Sequence, residues 1–362
     1  MSPVPGPVAR TLPVAMPLAY GYQFYAYPLA IQATQARTAE WVLSNFIQVA
    51  YDHRGQDSEV PFCFYLYDHA HSPWLDVIRA TRSWYARADL GQVIRDALAD
   101  GWYAYLVVDE YHVPEREPYQ VRHRPHDILV HGFADVPGSG DGTFDVLGYD
   151  QHLKFRSCRI PQAALLAGHH ALDERGVPDT PVLFYRLRAE ADHELDAGLV
   201  AQTIGEYLDG ADTSRHFRML RNPWDRAYGV ATYPLLAGYL KGYAAGELGY
   251  DIRHLQVLWE HKRMATARTR LLAGRYPELA GLVEPAERIE RMALSLRNAM
   301  VRDGLRAGRS TFGDTAAALL DAVQEAEGKH LHEVLTVLLA HGACAAARAR
   351  CAATRSPPSR SW

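Results

Sequence analysis

Cysteine is scarce in these 362 residues: four in all, Cys63, Cys158, Cys344 and Cys351. They lie too far apart for a zinc knuckle and are too few for a disulfide-stapled scaffold, so they fit a reducing compartment. Long apolar runs are missing too. Nowhere do about 18 apolar residues follow one another, which excludes an obvious membrane-spanning helix. The opening stretch MSPVPGPVARTLPVAMP is broken by prolines before a run of signal-peptide length can form. A cytoplasmic protein with no membrane partner is expected.

Surplus positive charge is also absent. Lys and Arg number 38 against 42 Asp and Glu, for a formal net charge of −4. Such a balance supplies no general field for phosphate backbones, so no nucleic-acid partner is expected. The glycines of PGSGDG have neither the lysine nor the strand-to-helix setting of a phosphate loop and read as turn glycines. No repeat of solenoid period is visible. Nothing in the chain calls for a cofactor, and none is expected.

Hydrophobic residues make up 48% and charged residues 22%, the proportions of an ordinary globular protein. TAEWVLSNFIQVAYD carries Trp41, Val42, Phe46, Val49 and Ala50 at helical spacing. VPFCFYLYD reads as a strand, and LGQVIRDALADG as a helix stopped by its glycine. A change to β pattern follows in WYAYLVVDEYHV, HDILVHGF and TFDVLGYD. IPQAALLAGHHAL then reads as a helix and VLFYRLRAE as a half-buried strand. From His193 onward most segments are helical, among them DIRHLQVLWEHKRMATARTRLLAG, with Ile252, Leu255, Leu258 and Trp259 on one apolar stripe and WEHKR as a charged face. This is an α+β chain: a domain over 12–190 with a central antiparallel sheet, a helical domain or cap over 193–342, and an Ala/Arg-rich tail over 343–362 expected to be disordered.

Candidate chemistry concentrates in RHRPHDILVHGF. As a metal set, His123, His126 and His131 fail, because His126 and His131 differ by an odd number of residues and point to opposite faces of one strand. A metal would need His123 to bend back from the preceding loop, with His112 not far upstream, and no metal site is expected. HLHEVLT fails the zinc-protease helix motif, which needs a second histidine where Thr336 stands. His126 heads an apolar strand, and a hairpin brings the start of that strand beside the end of the next, near Asp150, while Asp145 falls toward the turn. A carboxylate that fixes the tautomer of an imidazole makes it a general base. The alternative is a strand-edge histidine held by an aspartate for structural reasons alone.

The stretch GWYAYLVVDEYHVPEREPYQVRHRPHDILVHGFADV followed by FDVLGYD resembles the N-terminal domain of butirosin biosynthesis protein H and its relatives, which have a papain-like (C39-like) cysteine-enzyme fold. The likeness spans about residues 100 to 160. It implies an acyltransferase-like or amide-processing protein of antibiotic or nonribosomal-peptide biosynthesis, with His126 as base and Asp150 as the orienting acid. It further implies substrate contacts at Asp109, Tyr111 and His123, and an acyl or peptidyl carrier protein as partner to a small-molecule or peptide substrate. The family's nucleophilic cysteine would sit at an N-terminal helix start, where this chain reads FYAYPLAIQATQ. Cys63, inside an apparent strand, is the remaining candidate nucleophile, although most buried free cysteines are small core residues. Two readings stay open: an enzyme in which Cys63 or the substrate amine itself attacks, and an inactive accessory protein that binds a carrier domain or a peptide intermediate.

Overall fold

In the computed structural model the described residues are 9–65, 72–85, 88–135, 142–191, 193–216, 225–305 and 312–342. PGSGDG, apart from Gly142, and the tail past Gly342 lie outside them. The chain divides into two units, one of residues 1–38 with 68–192 and the other of 39–67 with 193–362.

The first unit is built on a seven-stranded antiparallel sheet. In chain order its elements are β1 (Ala9–Thr11), helix α1 (Gln23–Gln32), β4 (Leu75–Thr81), α3 (Leu90–Ala99), β5 (Tyr103–Asp109), β6 (Pro125–Asp135), β7 (Gly142–Tyr149), β8 (Phe155–Pro161), α4 (Gln162–Glu174) and β9 (Pro181–Leu187). The strand order is β4-β9-β5-β6-β7-β8, with β1 also pairing β6. Helix α3 forms where the pattern predicts it. Asp89 caps it through the amide of Gln92, Leu90, Ile94 and Leu98 bury one stripe, and Gly101 takes the left-handed φ of +83° that ends it. Helix α4 lies close on β5 because Gly168 has no side chain, and a Cβ there would stand 2.9 Å from the carbonyl oxygen of Asp109.

The second unit contains α2 (Ala39–Asn45), β2 (Val49–Asp52), β3 (Phe62–Phe64), α5 (Ala197–Leu208), β10 (Arg226–Tyr228), α6 (Tyr233–Ala245), α7 (Arg253–Ala273), α8 (Val283–Gly304) and α9 (Gly313–Ala340). Three short strands pair in the order β10-β2-β3. The helix expected through residues 38–52 is thus two elements: α2 ends at Asn45, and Val49 to Asp52 pair with β3 and β10. This pairing also corrects the single break near residue 193. Residues 39–67 group with the C-terminal helices because β2 borders β10, and because Arg268 and His261 of α7 donate to backbone carbonyls of Leu43, Phe46 and Ile47. Among the described residues no helix is long and apolar enough to cross a membrane.

Candidate active site

The start of β6 lies beside the end of β5, with His126 opposite Val108 and Pro125 opposite Asp109. His126 is therefore set near the N-terminal end of β6, among Gln23, Glu110 and Asp127. Its Nδ1 is 3.0 Å from Oδ1 of Asp127, 2.8 Å from Nε2 of Gln23 and 3.9 Å from Oε1 of Glu110. Oε1 of Gln23 accepts the amide of Tyr149 (2.9 Å), so Nε2 carries the hydrogens, and its two acceptors on Asp127, the backbone O at 2.7 Å and Oδ1 at 2.9 Å, take both of them. With the ring proton of His126 assigned to Nδ1, that N–H donates to Asp127 and Nε2 keeps its lone pair. Nε2 makes no hydrogen bond among the described residues, and the side chain remains 29% exposed.

The charges around the ring agree with this assignment. Burial disfavours the imidazolium, but the hydrogen bond to Asp127 and the charges of Asp127 and Glu110 outweigh it and raise the His126 pKa above its ordinary value. Burial also acts against the Asp127 carboxylate, yet the His126 hydrogen bond and charge bring its pKa below the usual range. Glu110 goes the other way: burial lifts its pKa despite His126, Arg124 and Arg116 nearby. Tyr27, buried beneath, donates its hydroxyl to the Asp127 carbonyl at 3.0 Å.

Two positions show how the backbone builds this corner. Gly148, in the Gly-Tyr-Asp sequence, has φ +154°, and a Cβ on it would meet the Arg116 guanidinium at 2.9 Å and Oε1 of Gln23 at 3.0 Å. Arg116, itself buried, donates to the carbonyls of Tyr149 (2.6 Å) and Leu147 (3.4 Å) and so ties the loop after β5 to the end of β7. Glu115 and Gln120 turn that loop with positive φ, and His123 is returned to the end of β5.

Asp150 is not the orienting acid. Its carboxylate accepts the amides of His152 (2.8 Å) and Lys154 (2.9 Å) and pairs with Arg156, closing the turn between β7 and β8. The hairpin does run toward it, but β6 and β7 pair only from Asp135 with Gly142 as far as Leu129 with Leu147, three residues short of His126. Asp127 stands in its place. Strand alternation argued against a neighbour in sequence, but the His126 ring bends along its own backbone, with Nδ1 3.4 Å from the Asp127 carbonyl. Asp109 and Glu110, neighbours in sequence, are both buried, because Glu110 leaves the strand and opens a 3₁₀ turn. Gln23, at the first turn of α1, carried no signal in composition or periodicity.

The other candidates fall elsewhere. Asp109 Oδ1 accepts the amides of Tyr111 (3.2 Å) and Arg124 (3.0 Å), its Oδ2 meets Nδ1 of His123 at 2.7 Å, and the Tyr111 ring stacks on that of His123 with centroids 4.3 Å apart. His131, at an irregularity in the β6 and β7 pairing, is buried with Nδ1 on the Leu12 carbonyl and Nε2 on the Ser157 hydroxyl, a structural histidine. Asp145 holds Arg159 and Thr11. Cys63 lies in β3 of the second unit, opposite Ala50, and burial pushes its thiol up to about 11, so the thiolate is scarce at neutral pH. Burial likewise raises the thiol of Cys158. No protein-family model and no curated protein matches the chain.

Proposed function

We propose that the chain is an acyl-transferring enzyme with a papain-like first unit, in which His126 activates the acceptor amine directly and no cysteine is acylated. The observation that carries this reading is the His126 ring itself: Nδ1 is held by a buried carboxylate, and Nε2 is open with the side chain 29% exposed. A histidine whose pKa is raised by the carboxylate it donates to suits a group that must take and return a proton in one cycle. A neutral amine attacks the carbonyl of a carrier-bound thioester, and Nε2 takes its proton as the C–N bond forms. As the C–S bond breaks, the leaving thiolate takes that proton back from the imidazolium. Glu110, protonated by burial more readily than an exposed glutamate, stands by as a second proton carrier beside the ring. The donor would be an acyl or peptidyl carrier protein, and the setting the cytoplasm of a specialised-metabolite producer.

A specific observation favours the second reading, an accessory protein that binds a carrier domain or peptide intermediate without chemistry. Helix α1 begins Gln23-Phe24-Tyr25 with no thiol, and both described cysteines are buried with raised pKa values. The test incubates wild type, Cys63→Ser and His126→Ala with a panel of acyl carrier-protein thioesters and acceptor amines, followed by mass spectrometry of protein and products. Amide product from wild type and Cys63→Ser, lost in His126→Ala and formed without a protein adduct, is the expected result. An adduct lost in Cys63→Ser would move the chemistry to the cysteine, and neither adduct nor product would leave the accessory reading.

A further inference from the structure

Next to His126, but not using it, Asp109, His112 and His123 each offer one ligand atom, and these three atoms lie within 4.8 Å of one another. We propose that they form a binding site for a first-row transition-metal dication such as Zn²⁺ or Fe²⁺. The site does not rest on the acyl-transfer reading, and it gives Asp109 and His123 a different role from the substrate contacts that the family resemblance implies.

The donor set decides the class of ion. Two imidazoles and one carboxylate favour zinc, iron, cobalt or nickel over magnesium and calcium, which prefer oxygen ligands throughout. Three protein ligands leave coordination positions open, the arrangement through which a bound ion takes up water or a substrate oxygen. The backbone arranges the set in advance. Asp109 ends β5 with its side chain fully buried, and its Oδ1 is occupied by the amides of Tyr111 and Arg124, so the carboxylate is locked with Oδ2 turned to the histidines. His112 closes the 3₁₀ turn that begins at Glu110, and the loop after it brings His123 back. Neither ring nitrogen of His112 takes part in a hydrogen bond among the described residues, and Tyr111 stacks on His123 to hold that ring in place.

The geometry lies near that of a loaded site. Zinc bonds of about 2.0 Å at tetrahedral angles set ligand atoms about 3.3 Å apart. Asp109 Oδ2 and His123 Nδ1, now joined by a hydrogen bond of 2.7 Å, would open slightly, while the widest pair closes by roughly 1.5 Å at most. With its ring proton carried on Nε2, His123 binds through Nδ1. Arg175, with Nε 3.6 Å from Oδ2, opposes a cation there, and its side chain is 42% exposed and free to swing away.

This opposition gives the test its second arm. Full-length protein, stripped with chelator, is titrated with Co²⁺ and followed by the visible absorption of the bound ion, and Zn²⁺ competition then gives its affinity. One equivalent is expected in wild type. Asp109→Asn, which keeps an oxygen for the two backbone amides, and His112→Ala and His123→Ala should each weaken binding more than tenfold, the scale already typical of lost outer-sphere partners. Arg175→Ala should bind more tightly than wild type, and exposed His152→Ala should be unchanged. Circular dichroism of each variant checks that it folds. Wild type that binds no better than the His112→Ala and His123→Ala variants, or that loses its site in His152→Ala, overturns the proposal whatever the outcome of the acyl-transfer assay.

Discussion

Each unit buries a cluster of charged and aromatic groups around histidine, and the two clusters differ in what they leave over. In the second unit Lys262, 1% exposed, donates to Glu327 (2.6 Å), which also accepts from the hydroxyls of Tyr207 (2.8 Å) and Tyr233 (2.7 Å). His261 lies 3.3 Å from the same carboxylate and uses Nε2 on the Ile47 carbonyl. Every charge there has its partner inside, and the cluster is sealed. In the first unit Asp127 accepts from Nδ1 of His126 with Gln23 beside it, and Nε2 makes no hydrogen bond among the described residues, on a side chain 29% exposed. A sealed network specifies packing, whereas an open, oriented ring can act on something else.

The largest effect that would break this contrast lies in the sealed cluster. Glu327→Gln leaves the Lys262 ammonium without its counter-charge and should cost about 3–5 kcal/mol in chemical denaturation. Replacing the pair together, as Lys262→Met with Glu327→Leu, should cost clearly less, and equal losses would mean that the charge pairing is not what matters. The same cluster predicts acid sensitivity. Glu327, against its burial, is held well below the ordinary carboxylate range by Lys262 and His261, so its contribution is present above the unfolded value and lost as pH falls toward the folded one. Burial lowers the pKa of His261, so the unfolded chain takes up its proton first. Both act with one sign: stability should fall as pH drops below about 6.5 and again below about 4.5. Denaturation midpoints that stay flat across that range would contradict the assignment.

In the open cluster, His126→Ala should lower kcat/KM for amide formation by about 10²–10⁴, the usual span for a general base, with little change in the denaturation midpoint. Asp127→Asn removes the charge that favours the imidazolium, so the His126 pKa, followed by NMR, should fall. An unchanged pKa would point to Glu110, 3.9 Å from the ring, as the orienting carboxylate instead. The smallest effect is expected at Cys63→Ser, with wild-type product formation and a stability loss of about 1 kcal/mol from a hydroxyl in an apolar strand.

Legibility in the sequence followed the range of the interactions. The strand runs ending at Asp109 and beginning at His126 were plain, since alternation and β-branched density act over neighbouring residues. WEHKR was not, because its interleaved charges read as a solvated face, whereas Glu260, His261 and Lys262 are buried by partners as far away as Glu327. VPFCFYLYD reads as a strand, and Phe62 to Phe64 of it form β3, in which Cys63, the candidate nucleophile, is buried.

By itself the sequence determined the α+β composition with an antiparallel sheet and C-terminal helices, the absence of a long apolar helix, and the place of His126 at the head of an apolar strand. These are consequences of periodicity and local composition. Only the tertiary structure decided that Asp127, steadied by Gln23, stands at the ring in place of Asp150, that β2 pairs with β10, and that His112 and His123 meet at Asp109. A side chain's partner depends on where pairing stops and how a loop returns. Those are set by contacts between residues far apart in the chain, Gln23 with Asp127 and Asp52 with Arg226 among them, which no local pattern encodes.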